Sequence, residues 1–73
     1  MNLGAKRIRE YLEKREMTQD AMAETLHTTA ANLSRIVNGI QVPSIDLAVR
    51  IKDATDGYVI PEDFLKPPVQ ATG

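Results

Sequence analysis

Residues 17–44, MTQDAMAETLHTTAANLSRIVNGIQVPS, decide the fold of this chain. Within them Thr18 and Thr29, residue types that cap helix N-termini, each precede a run whose apolar residues recur at intervals of three and four. The first run ends near His27, and the second covers Ala30 to Asn38, where an Asn-Gly pair favours a stop. Helices this short are not stable alone, because helical stability in proteins comes mostly from tertiary packing. The pattern therefore predicts two short helices that cross and pack together across a tight turn.

This arrangement is typical of a helix-turn-helix, in which the second helix of the pair faces outward. Further helices are predicted on both sides of it. An amphipathic run over residues 3–15 gives one helix upstream. Downstream, Ser44 caps a fourth helix that ends at Asp56-Gly57, and Pro61 followed by two acidic residues predicts a short fifth helix. The apolar face of the fourth helix is wide, which suits a central helix or one that shares its surface with a partner.

Length and composition agree with a single all-α domain. The chain has 73 residues and no cysteine, which excludes a disulfide scaffold and a zinc site built on thiolates. We expect residues 1–66 to form the domain and the Pro-rich residues 67–73 to be a flexible tail. No apolar run approaches the roughly 20 residues of a membrane span, and the start lacks a signal-peptide pattern, so we expect a cytoplasmic protein.

Catalysis is not expected. There is no cysteine nucleophile, the single histidine lies in a predicted turn, and the sequence has neither a metal-type cluster nor a glycine-rich phosphate loop. We therefore expect no catalytic residue, no metal, no cofactor and no small-molecule ligand.

Charge is unevenly distributed along the chain. The formal net charge of -1 does not by itself favour a nucleic-acid partner. However, residues 25–45 contain no Asp or Glu. The outward face of the second helix, with Ala31, Arg35 and Asn38 at its centre, lies in this stretch. Phosphate groups would meet no like charge there, so the distribution favours a DNA-binding surface.

Individual side chains on this face each have a DNA-binding role and a simpler alternative. Arg35 could donate two hydrogen bonds to guanine or contact a phosphate, or it could be a solvated surface arginine. Asn32 could recognise adenine, contact a phosphate, or only occupy the first turn. Ala30 and Ala31 could touch thymine methyl groups, or be present as strong helix formers. Gln19 could hold a phosphate, or be an exposed polar residue at a helix start.

The helix pair and the residues after it resemble the Cro/C1-type helix-turn-helix family, also called the XRE family. The resemblance rests on residues 17–26, MTQDAMAETL, on residues 32–39, NLSRIVNG, and on Pro43-Ser44. The family pattern has the form LTQxxLA, a turn, SxxxISRIENG and a later PS, and the match extends over roughly residues 5–65. The resemblance implies a compact five-helix, lambda-repressor-like DNA-binding domain that acts as a dimer, most like a small phage Cro-like repressor.

Carried over position by position, the resemblance implies a set of DNA contacts. The side chains expected to face bases in the major groove are Ala30, Ala31, Asn32 and Arg35. The residues expected to contact phosphates are Gln19, Thr29, Ser34, Asn38 and Gln41. Of these, Gln19 would also brace the second helix of the pair, and Thr29 would cap it.

Three features depart from the family pattern. The turn position usually held by glycine is His27, which must then adopt a positive φ. Leu12 and Val37 replace an Arg and a Glu that often pair across the core, so we expect them to pack against each other. Ala30 and Ala31 replace long polar side chains, so specificity is expected to depend on Arg35, on Asn32, on thymine methyl contacts and on DNA shape.

One helix pair covers about half of a DNA site, so a dimer is expected. The residues expected at the dimer interface are Tyr58, Val59, Ile60 and Phe64, with Leu65 beside them. The alternative is that these residues close the core of the monomer.

The function implied is that of a sequence-specific regulator of transcription that binds double-stranded DNA. It would be a repressor that binds a pseudo-palindromic operator as a dimer, with the helix over residues 29–38 in the major groove. Within the family, the alternatives are a small chromosomal regulator or an antitoxin, whose tail over residues 66–73 could bind a toxin. Outside DNA binding, the alternative is a helical module that binds another protein.

Overall fold

The computed structural model describes residues 2–65, which form four α-helices and a final 3-10 helix, without a strand in that range. Their bounds are α1 Leu3–Lys14, α2 Gln19–Leu26, α3 Ala30–Val37, α4 Ile45–Ala54 and, for the 3-10 helix, Pro61–Leu65. The predicted all-α class is confirmed. The predicted tail over residues 67–73 lies outside the described residues. No described helix has the length and apolar character needed to cross a membrane.

The predicted count of five helices is not matched exactly, because the fifth element, at the predicted Pro61, is a 3-10 helix and only four elements are α-helices. It begins with Pro61, which has no backbone N–H to donate. The Asp63 N–H donates to the Ile60 carbonyl at 2.9 Å, which is the three-residue spacing of the tighter helix. Within five residues at most one bond of the four-residue α-helical spacing could form, so little is lost when the segment takes the shorter spacing.

Side-chain caps fix where the helices begin. Thr18, Thr29 and Ser44 each accept a hydrogen bond from the backbone N–H three residues later, at distances of 3.1, 3.0 and 3.2 Å. All three predicted caps are therefore confirmed. Asn2 caps α1 in the same way at 2.8 Å, although this cap was not predicted. Each cap satisfies one N–H that has no partner within its own helix.

Left-handed residues end several of the helices. His27 has φ 58° and ψ 43°, so the positive φ expected at this turn is confirmed. Gly39 and Gly57 follow α3 and α4 with φ of 74° and 84°. Glu16 and Asp56 are also left-handed, with φ of 54° and 53°. The left-handed turn at His27 redirects the chain between α2 and α3.

The core lies where the apolar stripes of the helices meet. α2 packs on α3 and α4, while α1 packs on α3 and on the 3-10 helix. Leu12 and Val37 both belong to this core, with exposed fractions of 7% and 1%. Leu12 and Val37 are thus buried at a position where an ion pair would incur the free-energy cost of desolvation.

Two residues expected at a dimer interface belong to the same core. Val59 and Phe64 are 0% and 4% exposed within the single chain. Their side chains are largely enclosed by the helices of one chain, which agrees with the alternative that they close the monomer. Tyr58 and Ile60 remain partly exposed.

Polar contacts tie the C-terminal segment to α1. The Glu10 carboxylate accepts hydrogen bonds from the Lys6 ammonium at 2.8 Å and from the Tyr58 hydroxyl at 3.0 Å. The hydrogen bond from Lys6, and after it the one from Tyr58, hold the pKa of the Glu10 carboxyl below its usual value. The buried Asp63 carboxylate lies 3.4 Å from the Arg7 guanidinium. These contacts hold residues 58–63 against the helix that backs α3.

Gly4 allows α1 to approach the 3-10 helix. A Cβ at this position would lie 2.4 Å from two ring carbons of the buried Phe64. We expect Gly4→Ala to lower the free energy of unfolding by about 1–2 kcal/mol, because overpacking outweighs the better helix propensity of alanine. Urea denaturation measures this change. In a Phe64→Leu background, which removes the ring, the same substitution should cost less. Equal stability of Gly4→Ala and the parent chain would contradict the tight contact.

His27 offers a test of the turn. A side chain in the left-handed region is strained, and glycine is not. We expect His27→Gly to stabilise the fold by about 0.5–1 kcal/mol and to raise Tm by a few degrees, while His27→Val lowers it. Thermal unfolding followed by circular dichroism measures both variants. If the glycine variant melts below the parent, His27 contributes contacts that outweigh its strain.

Candidate nucleic-acid interface

α3 is amphipathic in the manner that an outward-facing helix requires. Its apolar side, Leu33, Ile36 and Val37, is at most 1% exposed. The residues that the structure leaves exposed on this helix and its C-cap are Ala30, Ala31, Arg35 and Asn38, with Asn32 and Ser34 partly buried between the two sides. Of the predicted base-contacting residues, Ala30, Ala31 and Arg35 are therefore exposed on α3, and Asn32 is partly buried beside them.

An arginine from a neighbouring helix holds the C-terminal end of each helix of the pair. The Arg50 guanidinium of α4 donates to the Leu26 carbonyl at 3.3 Å, and the Arg9 guanidinium of α1 donates to the Val37 carbonyl at 3.1 Å. A cation at a helix C-terminus satisfies free carbonyls and interacts favourably with the helix dipole. Hydrogen bonds from these arginines therefore hold the C-terminal ends of α2 and α3, in addition to the packing of both helices in the core.

Arg9 also connects two of the predicted phosphate contacts. Its guanidinium donates to the Asn38 side-chain oxygen at 2.6 Å. The Asn38 side-chain nitrogen donates in turn to the Ser34 carbonyl at 2.9 Å and lies 3.3 Å from its hydroxyl. Sequence reasoning missed Arg9, because it is one of many charged residues on α1 and nothing local relates it to position 38. The structure places its charge at the end of α3.

A second network crosses the middle of the exposed side. Arg35 Nε donates to Gln41 Oε1 at 3.2 Å, and Gln41 Nε2 donates to Asn32 Oδ1 at 2.6 Å. Asn32 Nδ2 donates to Thr28 Oγ1 at 2.9 Å. The structure therefore brings Asn32, Arg35 and Gln41 together, although they were expected to make separate DNA contacts.

The remaining expected phosphate contacts lie at helix starts. Thr29 caps α3 as expected, with its hydroxyl occupied by the backbone. Gln19 is the first residue of α2 and lines a shallow depression with Arg9 and three other residues of α1. Its contact with phosphate and its bracing of α3 stay predictions.

The charge around α3 differs between its two ends. Asp20 and Glu24 of α2 line a depression that Thr28 and Ala30 share. The stretch that is free of acids in sequence is therefore not free of them in space, because α2 lies beside the start of α3. Cationic groups, those of Arg9 and Arg35, gather toward the other end. The C-terminal half of α3 is the part most favourable to a polyanion.

Comparison with known proteins agrees with this geometry. The family model HTH_3, described as Helix-turn-helix, matches residues 8–57, more than half of the chain. The matched region includes α2, its turn, α3 and α4. No curated protein and no solved structure matches the chain. With two capped helices crossing at a left-handed turn and a family match over the same residues, the chain belongs to the XRE-type helix-turn-helix family of DNA-binding transcription regulators.

Proposed function

We propose that this protein is a Cro-like repressor that binds a pseudo-palindromic operator in double-stranded DNA as a homodimer. The helix over residues 29–38 lies in the major groove, and occupancy of the operator excludes the polymerase. The site of action is the cytoplasm of a bacterium or of a phage-infected host cell. The observation that carries the proposal is the exposed side of α3, which has small residues at its start and Arg35 beyond them.

The dimensions and chemistry of α3 suit the major groove. The groove is about 12 Å wide, which admits an α-helix. Ala30 and Ala31 are exposed and short, so they let the start of α3 approach the base pairs and touch thymine methyl groups. Arg35 is one turn further along the same side and carries the hydrogen-bond donors that recognise guanine.

The charge distribution limits non-specific attraction. The net charge is -1, and Asp20 and Glu24 flank the start of α3. Acidic side chains there repel phosphates, so a random duplex gains little from bulk electrostatics. Specific binding then depends on groove fit, on backbone N–H groups at helix starts and on the binding of two subunits together.

An apolar groove at the N-terminus of α4 is the surface that we assign to the dimer. It is lined by Val42, Ile45 and Leu65, which are 53%, 82% and 82% exposed, with Phe64 among the groove residues. Burial of a large aliphatic side chain is worth roughly 1.5–3 kcal/mol. The groove joins the segment over residues 58–65, where the partly exposed Tyr58 and Ile60 lie, so it extends the interface first expected there.

The groove begins next to α3, so a second copy bound there would be held at a set distance from α3. Val42 directly follows Gln41, whose side chain bonds Arg35. A two-fold contact at Val42 and Ile45 therefore fixes the distance between the two copies of α3. A pseudo-palindromic site requires such a fixed distance, since its half-sites lie about one helical turn apart.

DNA binding is tested most simply at Arg35. We expect Arg35→Ala to weaken binding to a site selected from random DNA by about 1–3 kcal/mol and to relax selectivity at one base pair. Gel-shift titrations at low and moderate salt measure both, and binding by the parent should weaken steeply as salt rises. Arg15→Ala is the matched control, because it removes an equal charge from an exposed position where Arg15 stacks on Tyr11. Equal losses on the selected site and on random DNA would show that Arg35 only anchors a phosphate.

The dimer surface is tested by placing a charge in the groove. Ile45 is the first residue of α4, where an acidic side chain suits the helix dipole, so Ile45→Asp should fold normally. We expect it to raise the dimer dissociation constant at least tenfold in sedimentation equilibrium, because the carboxylate would be buried against apolar groups. Ile40→Asp is the control, since Ile40 is 73% exposed but is not among the groove residues. A parent chain that stays monomeric with and without DNA would exclude the dimer.

A further inference from the structure

Three hydrogen bonds link four side chains on the exposed side of α3, in the order Arg35, Gln41, Asn32 and Thr28. Asn32 and Gln41 are partly buried, and Arg35 is exposed. The network therefore runs from the partly buried Thr28 to the exposed guanidinium group of Arg35. Because the network lies on the proposed DNA-binding side, the direction of its hydrogen bonds decides which donors and acceptors remain for a base.

The guanidinium group sets the direction of every bond in this network. Arginine has only donors, so Gln41 must turn its side-chain oxygen toward Arg35. Its side-chain nitrogen then faces Asn32, which must present its own oxygen. The Asn32 nitrogen is left to donate to the Thr28 hydroxyl. Both amides are thus oriented by their partners within the chain.

The backbone holds Gln41 in the position that this network needs. After α3 the chain turns through Gly39, and the N–H groups of Ile40 and Gln41 donate to the Arg35 carbonyl at 2.9 and 3.3 Å. Gln41 is therefore bonded to Arg35 by its main chain as well as by its side chain. Two separate anchors place the amide beside the guanidinium group.

Only part of Arg35 is used by these contacts. Nε carries one of the five N–H donors of the group, and the donors on Nη1 and Nη2 remain for an external acceptor. A pair of such donors matches O6 and N7 of guanine. Asn32, in contrast, would need both its oxygen and its nitrogen to pair with adenine. That amide is partly buried, and both of its atoms already hold partners within the chain, so it keeps one acceptor site and one donor, against the four remaining donors of Arg35.

We propose that Gln41 is a positioning residue that orients Arg35 toward guanine, and that Asn32 supports this network and does not recognise a base. This inference rests on the proposed function, since it names which side chain selects the base within that site. It replaces the phosphate contact expected of Gln41 and the adenine contact expected of Asn32. Each half-site then contains a G·C pair opposite Arg35.

The first test measures base discrimination. A duplex selected by the parent protein is compared with the same duplex carrying 7-deazaguanine, which lacks the N7 acceptor, at the guanine that Arg35→Ala no longer distinguishes. We expect the parent to bind the modified duplex roughly tenfold more weakly. Gln41→Met, which keeps the length of the side chain but has no amide, should reduce this ratio to about twofold or less. Affinity for a random duplex should not change.

A conservative variant separates positioning from packing. Gln41→Glu retains an oxygen that accepts from Arg35 Nε, but it has no N–H to donate to Asn32. The Asn32 amide must therefore turn so that its nitrogen donates to the new carboxylate and its oxygen accepts from the Thr28 hydroxyl. We expect Gln41→Glu to keep the parent discrimination ratio, although its added negative charge weakens binding to both duplexes. If Gln41→Met retains the full ratio, or if it weakens binding to the random duplex as much as to the selected one, the positioning role is wrong. If Asn32→Ala removes a preference for adenine at another position, Asn32 recognises a base and that part of the inference is wrong.

A measurement without DNA tests the network itself. In the free parent protein, the Arg35 Nε–H group should show restricted motion in nitrogen-15 relaxation, and Gln41→Met should make it mobile. Equal mobility in the two proteins would contradict the network. A parent protein that prefers no duplex contradicts the proposed function and this inference with it, whereas a parent preference that Gln41→Met leaves unchanged contradicts this inference alone.

Discussion

The shared apolar face of α2 and α3 is the constraint on which the rest of the structure depends. Each helix has eight residues, which is too short for stability in isolation. They become stable only by crossing, and the crossing requires a residue at His27 that accepts a positive φ. The other elements complete this arrangement: α1 and α4 enlarge the core, and Arg9 and Arg50 hold the ends of the two helices. The outward side of α3 is therefore rigidly presented.

This construction accounts for a weakly acidic chain in a DNA-binding family. Two arginines donate to carbonyls at helix ends, and two acidic residues of α2, Asp20 and Glu24, line the depression beside Ala30. The cations left for a polyanion concentrate toward the end of α3. Under the proposed function, the surface chemistry near Arg35, more than the total charge, determines where DNA binds. Groove fit and a few hydrogen-bond donors would then provide the sequence selectivity.

Sequence patterns predicted the features that depend on neighbours along the chain. The caps at Thr18 and Thr29 and the strained turn at His27 were predictable, because a cap or a left-handed turn involves residues within one helical turn. Contacts between distant residues were not. The Arg9 bond to Val37 and the approach of Asp20 to Ala30 depend on how whole helices pack. The same holds for Gln41, whose partner Asn32 is reached only because the loop folds back over α3.

The most direct test of the central claim is a map of the DNA-binding surface on nitrogen-15-labelled protein. A duplex selected from random DNA is titrated while backbone amide and arginine side-chain shifts are followed. The account predicts the largest changes over residues 29–41 and at Arg35 Nε, with smaller changes at Gln19 and little change at Arg15 and Tyr11. Unchanged signals across residues 29–41 at saturating duplex would contradict the assignment of α3 as the DNA-binding helix.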